Sequence, residues 1–595
     1  MIFVIGIILF WMSVIGYLEL VKNKFNIPNE FILPIVFSCF GIIIFLAGIL
    51  NVMVEVSVLL CATGIILLIK SLCDRKFLLN DYFNINFLII IVMFIYFTFI
   101  CSQLHLLHYD NFSHWALIIK NMFLNNQLPN FETSVIEFKD YQPGSACFIY
   151  FFGFLTGKKE ISMIVAQNYL LIAFYFSILI FTNEIKNRKV KVFSKILVVV
   201  LYLFILLKNI TFNDLLVDSL ITVIFVYLCC IVYYYRNDLK KLFYCLLPTS
   251  IYLFLVKNIG IVLLGYISLM LLFLGFRNKE KIKGIIYCIL NIVVPTLFFF
   301  IWSKHVSYVF GKYGLYSKHS LSASNIVYEL RAKGWDRIYQ FCSLYFNHFI
   351  DILNNIPNKF IIVINIILII MLLFYKKSRK FILKFLIVED FIYFSYYFIL
   401  GVMYLFSMPW SEASYLAGFD RYMLTIILSL IMLTFLCFCI VLNEDRVHCK
   451  ISLLLIILFI VSSFYVVFKD DVNFENAKLL LGIQNYEKTI VNKFDGILES
   501  DFYNSSSDIY YYVYAPISSK NDFGYTFYLS RYKLNTSKVE IVNDINELDD
   551  SFDYDINKVK IIVLDFDDFI NTYLSNNWYE KISDNIYEKS LINNS

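Results

Sequence analysis

The chain has 595 residues, of which 60% are hydrophobic and 16% charged, and its mean hydropathy is +0.71. Soluble globular domains have about 45–50% apolar and about 25% charged residues, so this composition argues against a soluble enzyme, a nucleic-acid-binding protein and a disordered protein. The net charge of +4 is divided unevenly: residues 470–595 carry 11 basic and 22 acidic side chains, and the earlier residues carry 39 and 24. We therefore expect a basic membrane part followed by an acidic tail.

Apolar runs long enough to cross a bilayer, about 20 residues each, recur through the first 470 residues. We expect the first three to form accessory transmembrane helices in residues 1–84 and the others to form a transmembrane core in residues 85–469. The predicted fold class is a polytopic α-helical membrane protein with about 14 spans. These spans lie near residues 1–20, 30–49, 53–72, 85–104, 162–182, 196–208, 215–235, 242–256, 258–275, 284–302, 358–375, 383–406, 422–442 and 451–468.

The Lys and Arg residues between the runs predict the orientation, because short cytoplasmic loops carry these residues in excess. Fourteen spans with an external N-terminus place every basic cluster inside. The apolar stretch 145–156 would break that agreement if it were a span, so we expect a helix at the outer membrane surface there. The expected external segments are residues 105–161, residues 303–357 and the tail. The basic clusters are Lys22 and Lys24, Arg75 and Lys76, 186–195, Arg236 with Lys240 and Lys241, 277–283, and 376–380.

The tail, residues 470–595, combines amphipathic and strand-like patterns. A polar amphipathic stretch covers 473–498, and runs rich in aromatic and β-branched residues cover 509–514 and 559–564. These patterns predict a small soluble α/β domain, large enough to form its own core, on the extracytoplasmic side of a cell membrane.

The first outer loop opens with a polar run from His105 to Trp115. Asp110 and His114 are four residues apart and share one face if the following helix starts that early. Asp110 or Asn111 could instead serve only as the N-cap of that helix. A metal site formed by His105, His108 and His114 would require the chain to fold back on itself.

Several segments resemble the GT-C superfamily of membrane glycosyltransferases, which includes protein O-mannosyltransferases and lipid A aminoarabinose transferases. The first outer loop is similar in residues 109–115 and in Tyr141-Gln142-Pro143-Gly144. Residues 213–220, with Asp218, resemble the opening of the fourth core helix. Residues 255–260, with Lys257, resemble a turn between two short spans, and residues 419–422, with Arg421, resemble the start of a late span.

This resemblance implies a polyprenyl-phosphate sugar donor, a cell-envelope acceptor and an outer-loop acidic residue at the catalytic centre. The catalytic base is then Asp110. A guanidinium group binds phosphate through two parallel hydrogen bonds, so Arg421, together with Lys257, suits the donor phosphate. The same resemblance assigns substrate contacts to His114, Tyr141, Gln142 and Asp218. The chain lacks the paired acids that many members carry, which leaves a divalent metal open and assigns no metal ligand.

Other interpretations stay open from the sequence. A lipid-linked glycan polymerase or ligase would use basic residues of the second outer loop, namely Arg331, Lys333 and Arg337. A lipid-substrate transporter or flippase is the non-enzymatic alternative. Two of the candidate residues could have purely structural roles. Asp218 could merely hydrogen-bond a neighbouring helix, and Lys257 could merely extend to lipid headgroups. No nucleic acid partner is expected.

Overall fold

The computed structural model describes the chain in ranges separated by gaps. The described residues are 1–74, 82, 84–130, 135–208, 212–310, 323–351, 356–444, 474–498, 509–545, 547, 559–576, 579–583 and 585–589. Helices account for nearly all of the ordered structure up to residue 444, and a mixed α/β region follows from residue 474.

The helical part contains seventeen α-helices within the described residues. They are α1 Ile2–Phe25, α2 Asn29–Ile49, α3 Met53–Cys73, α4 Ile85–Cys101, α5 Ala116–Asn125 after a π-helical turn Asn111–Trp115, α6 Gly144–Thr156, α7 Glu160–Tyr175 with a 3-10 extension Phe176–Thr182, α8 Arg188–Lys208, α9 Asp218–Tyr234, α10 Leu239–Val256, α11 Gly260–Arg277, α12 Lys281–Phe310, α13 Ala323–Ile350, α14 Ile356–Phe374, α15 Arg379–Phe406, α16 Trp410–Ala413 and α17 Phe419–Glu444.

The chain is a multi-pass helical membrane protein. Among the described residues, ten helices are long and apolar enough to cross a membrane: α1, α2, α3, α7 with its extension, α10, α11, α12, α14, α15 and α17. Helices α4, α6 and α9 are apolar but shorter. Of the predicted spans outside these helices, 196–208 falls in α8, and 451–468 lies outside the described residues.

Small residues let the first helices approach closely. A Cβ atom on Gly16 of α1 would lie 1.8 Å from the carbonyl oxygen of Gly64 in α3, and one on Gly64 would lie 2.2 Å from Ser13 Oγ. Such backbone contact is typical of helix pairs in membranes, where small side chains replace a hydrophobic driving force.

The predicted helix near 145–156 is present as α6, but protein surrounds it. Its residues are buried from Gly144 to Gly153, and the rings of Phe148 and Phe152 lie 6.2 and 5.0 Å from Phe10 of α1. At about 1.5 Å per residue it is roughly 20 Å long, too short for a bilayer core of about 30 Å. It therefore packs inside the helical bundle, and its position at the outer membrane surface stays a prediction.

The C-terminal part forms a mixed sheet flanked by helices. Its strands have the order β2-β1-β3-β5-β4; β1 is parallel to β2 and β3, and β5 is antiparallel to β3 and β4. The predicted runs 509–514 and 559–564 form adjacent central strands, with Tyr512 opposite both Glu540 and Ile561. The elements are α18 Phe474–Leu479, α19 Ile490–Ile497, β1 Tyr510–Tyr514, α20 Tyr525–Leu534, β2 Val539–Val542, β3 Val559–Val563, α21 Asp568–Asn576, β4 Tyr579–Ser583 and β5 Ile586–Lys589.

Candidate functional site at one end of the helical bundle

Four charged side chains from distant parts of the sequence meet at one end of the bundle. Arg421 Nη1 donates to Asp110 Oδ2 at 2.7 Å, and Arg421 Nε lies 3.9 Å from Asp218 Oδ2. Lys257 Nζ donates to Asp218 Oδ1 at 2.5 Å. Two cations and two carboxylates thus alternate in one cluster, which we call the site cluster.

Ends of helices position all four residues. Asp218 is the first residue of α9, and Arg421 lies in the first turn of α17. Lys257 follows the last residue of α10 and has an extended backbone (φ −159°, ψ 144°). The helix therefore ends there, before α11 starts at Gly260. Charged groups at helix ends reach each other without crossing the apolar interior, where an unpaired charge is costly.

Neither Asp110 nor Asn111 serves as the side-chain N-cap considered from the sequence. Asp110 precedes the π-helical turn, but its carboxylate makes no capping hydrogen bond and binds Arg421 instead. Asn111 Oδ1 accepts a hydrogen bond from the backbone N–H of Leu215 at 3.0 Å. Both side chains therefore tie the first loop to other segments of the bundle.

Aromatic rings adjoin the site cluster. The Tyr422 ring has Lys257 Nζ 5.4 Å and the Arg421 guanidinium 5.2 Å from its centroid, both within cation–π range. The rings of His114 and Tyr141 lie 4.9 Å apart in an edge-on contact. These aromatic rings therefore lie beside the charges of the site cluster.

Two further predicted residues lie nearby. Gln142 Nε2 donates to Asn258 Oδ1, which places Gln142 beside the turn that carries Lys257. His114 is buried, and its Nδ1 contacts Ser113 Oγ at 2.7 Å. Burial lowers the pKa of His114 to about 3, so its imidazole is neutral at physiological pH. The structure therefore brings all seven predicted site residues into one region.

A divalent metal does not fit this arrangement well. Within the described ranges, no group of three His, Cys, Asp or Glu side chains is placed to hold a metal ion. The two carboxylates of the site cluster, Asp110 and Asp218, both pair with Arg421. His105 stacks on Tyr486 with a 3.8 Å centroid distance, away from His114, whose ring packs on Tyr141.

The C-terminal part packs directly on the loop that carries Asp110, which sequence reasoning did not anticipate. The side-chain amide of Gln484 bonds both the N–H and the C=O of His105, at 2.8 and 3.0 Å. Tyr525 of α20 donates to the carbonyl of Leu107 at 2.9 Å. The Tyr109 and Tyr528 rings meet edge-on at 5.2 Å. Residues just before Asp110 thus contact the tail.

A second charged cluster, the junction cluster, lies where α20 meets the helical part. Lys533 Nζ donates to Asp495 at 2.6 Å and to Glu160 of α7 at 3.4 Å, and Tyr532 donates to the same Glu160 at 2.9 Å. Arg531 pairs with Glu137 of the first loop. The sequence showed the acidic net charge of the tail but not this cluster, because its two tail cations, Arg531 and Lys533, pair with acids far away in the chain.

The basic residues of the second loop have structural partners. Lys333 Nζ donates to the carbonyls of Leu405 and Met408 at the end of α15, and Arg337 stacks over the Trp410 ring at 5.7 Å. A cation is favourable at a helix C-terminus, where carbonyls are unpaired. These contacts occupy two of the three residues that a polymerase would need.

No family model, curated protein or solved structure matches this chain. The case for a function therefore rests on the residues of the site cluster and on how they are arranged.

Proposed function

We propose that the chain transfers a sugar from a polyprenyl-phosphate donor to a cell-envelope acceptor at the site cluster. The observation that supports this is the convergence of Asp110, Asp218, Lys257 and Arg421, which lie up to 311 residues apart in sequence. Ion pairs at a protein surface contribute only about 0–1 kcal/mol each to stability, so stability alone does not account for this convergence. A site for an anionic lipid substrate would use this arrangement fully.

The cations suit the donor phosphate. Arg421 already holds a carboxylate through Nη1, and a phosphate offers the same acceptor geometry to its remaining N–H groups. Lys257 adds a second positive charge beside Tyr422. A bound phosphate would share these cations with Asp110 and Asp218, so donor binding would loosen both carboxylates from their partners.

Asp110 suits the role of general base. In the proposed reaction, the acceptor hydroxyl oxygen forms a bond to the sugar C1, the C1–O bond to phosphate breaks, and the polyprenyl phosphate leaves with the electron pair. The acceptor proton passes to the Asp110 carboxylate. Neutral His114 and Tyr141 would line the sugar side of the site.

Asp110→Asn tests the base. The variant keeps the size of the side chain and cannot take up the proton, so sugar transfer should fall by about 10²-fold or more. Radiolabel from a polyprenyl-phosphate hexose would be followed into envelope material in proteoliposomes, and binding of polyprenyl phosphate would be measured separately. Asp420→Asn, an exposed neighbour of Arg421, is the matched control. Full transfer by Asp110→Asn would contradict the role and favour a polymerase or a transporter.

We also propose that the site faces the extracytoplasmic side, with both the N-terminus and the C-terminal part outside. The six basic clusters support this orientation. Reporters fused after Lys195 and Lys380 should read cytoplasmic, and those after Asn125 and Ser595 external. A cytoplasmic reading at Ser595 would overturn the orientation.

A further inference from the structure

Helix α13 consists of two helices joined at Gly334. Gly334 has φ 64° and ψ 173°, a backbone conformation that glycine adopts without strain, and regular helix resumes after it. The second helix, residues 335–350, was expected in an external loop. It does not count among the ten candidate spans.

This second helix runs antiparallel beside the last part of α15. The Phe341 and Tyr404 rings are stacked at 6.3 Å, and Tyr345 donates to the carbonyl of Tyr397 at 2.6 Å. Phe349 meets Phe394 at 6.1 Å. As the chain advances from 341 to 349, its contacts in α15 therefore move from 404 back to 394, away from the end of that helix.

The same helix leaves an apolar stripe uncovered. The stripe consists of Trp335, Tyr339, Cys342, Phe346 and Ile350, spaced 4, 3, 4 and 4 residues apart, which covers only about 80° of the circumference at 100° per residue. Trp335 is 86% exposed and Tyr339 77%. The neighbouring face carries the exposed polar residues Asp336, Gln340, Ser343 and Asn347.

The level of the stripe identifies what covers it. α15 is a candidate membrane-spanning helix, and its Phe398 is 71% exposed next to Tyr397, the residue that Tyr345 binds. A phenylalanine this exposed on a membrane helix faces lipid. The lower half of the stripe, Phe346 and Ile350, lies at the same level along α15, so the stripe side of the helix faces the same hydrocarbon.

We propose that residues 335–350 form a half-inserted helix whose stripe contacts the lipid of one leaflet. Phe346 and Ile350 face hydrocarbon, and Trp335 and Tyr339 lie at the headgroup level, where amphipathic aromatic rings are enriched. The partner is the bilayer itself, and this inference does not rest on the proposed sugar transfer.

The location also connects the lipid to the site cluster. His348 of this helix meets the ring of Phe419 at 4.6 Å, two residues before Arg421. The helix that carries the stripe therefore contacts the segment that leads to Arg421, the cation that suits an anionic lipid headgroup.

A spin label tests the insertion. In a variant in which every other cysteine is replaced, the label is attached to Cys342, which lies on the stripe. In the same background, Asn347→Cys with Cys342→Ser places the label on the polar face as a matched control. The experiment compares collision rates with oxygen, which dissolves in lipid, and with a water-soluble nickel complex, in proteoliposomes of phosphatidylcholine and phosphatidylglycerol. Oxygen should dominate at 342, and the nickel complex at 347.

Two results would overturn the proposal. Equal access of the nickel complex to 342 and 347 would show a stripe in water, and protection of 342 from both reagents would show a protein partner covering it.

A second measurement leaves all cysteines in place: quenching of tryptophan fluorescence by brominated phosphatidylcholine. Trp335→Phe should lower the quenched fraction, whereas Trp302→Phe, which removes a ring only 2% exposed, should not. An unchanged quenched fraction in Trp335→Phe would also contradict insertion.

Discussion

The site cluster and the junction cluster contain similar residues but differ in their exposure to solvent. Arg421 of the site cluster has 41% of its side chain exposed, and Lys533 of the junction cluster has 1%. Both cations contact two carboxylates. The same chemistry is therefore open to a ligand in one place and enclosed by protein in the other.

Solvent exposure decides what each cluster can do. An enclosed ion pair has lost its hydration, so its partners depend on one another, and removal of either leaves a buried charge. An open ion pair exchanges its contacts with water or a ligand at small cost. The comparison predicts that the junction cluster holds the C-terminal part on the loop of Asp110, and that the site cluster binds a charged substrate.

The largest expected effect comes from Lys533→Met. This variant leaves Glu160 and Asp495 without their cation, and we expect a loss of about 3–5 kcal/mol in the free energy of unfolding. Thermal unfolding and limited proteolysis of the detergent-solubilised protein would measure it. Lys520→Met, at an exposed position, is the control. If the two variants are equally stable, the junction cluster does not hold the parts together.

A smaller effect is expected from Arg421→Lys, and it concerns binding. Lysine keeps the charge and loses the planar array of N–H groups, so affinity for polyprenyl phosphate should fall about 10-fold, which is roughly the value of one charged hydrogen bond. The melting temperature should stay close to that of the wild type, because the side chain is partly exposed. Arg379→Lys, at the first residue of α15, makes the same substitution away from the site cluster and serves as the control. Unchanged affinity would remove Arg421 from the site.

The smallest effect is the pH dependence contributed by His114. Burial lowers its pKa to about 3, whereas in the unfolded chain the pKa is about 6.5. Between these values the unfolded state binds more protons than the folded state. His114 therefore makes the free energy of unfolding rise with pH, and this contribution is lost as the pH falls below about 6.5. His114→Gln should flatten this dependence by about 0.7 kcal/mol between pH 7 and pH 6.

Unfolding free energies measured at several pH values check this prediction. A wild-type slope in His114→Gln would show that folding does not lower the pKa of His114.

The helical part was largely predictable, because a membrane-spanning helix can be recognised from the length and hydropathy of its own residues. The apolar runs that give α1, α2 and α3 each extend for about the thickness of a bilayer core, and no distant residue is needed to recognise them. The seven candidate site residues were singled out from the sequence by resemblance, and their roles stay predictions. Their grouping around Arg421 rested on resemblance until the structure placed them together.

Other features could not be predicted, because each depends on a partner far away in the chain. Asp110 fits an N-cap by local pattern, but the distant Arg421 takes its carboxylate. The packing of α6 against α1 could not be predicted from the stretch 145–156 alone, because Phe10 lies far away in the chain. Lys533 belongs to a segment that reads as polar and solvated, but Glu160 and Asp495 allow its burial.

The sequence by itself determined that this is a multi-pass helical membrane protein with an acidic α/β tail and a few ionisable residues near helix ends. Those properties follow from hydropathy and strand pattern, which act over 5 to 20 neighbouring residues, as in about one strand or one span. Only the tertiary structure decided which charges are buried, which stay open and which apolar stripe faces lipid. Burial of a charge depends on the groups that replace its water, and here those groups come from segments hundreds of residues apart.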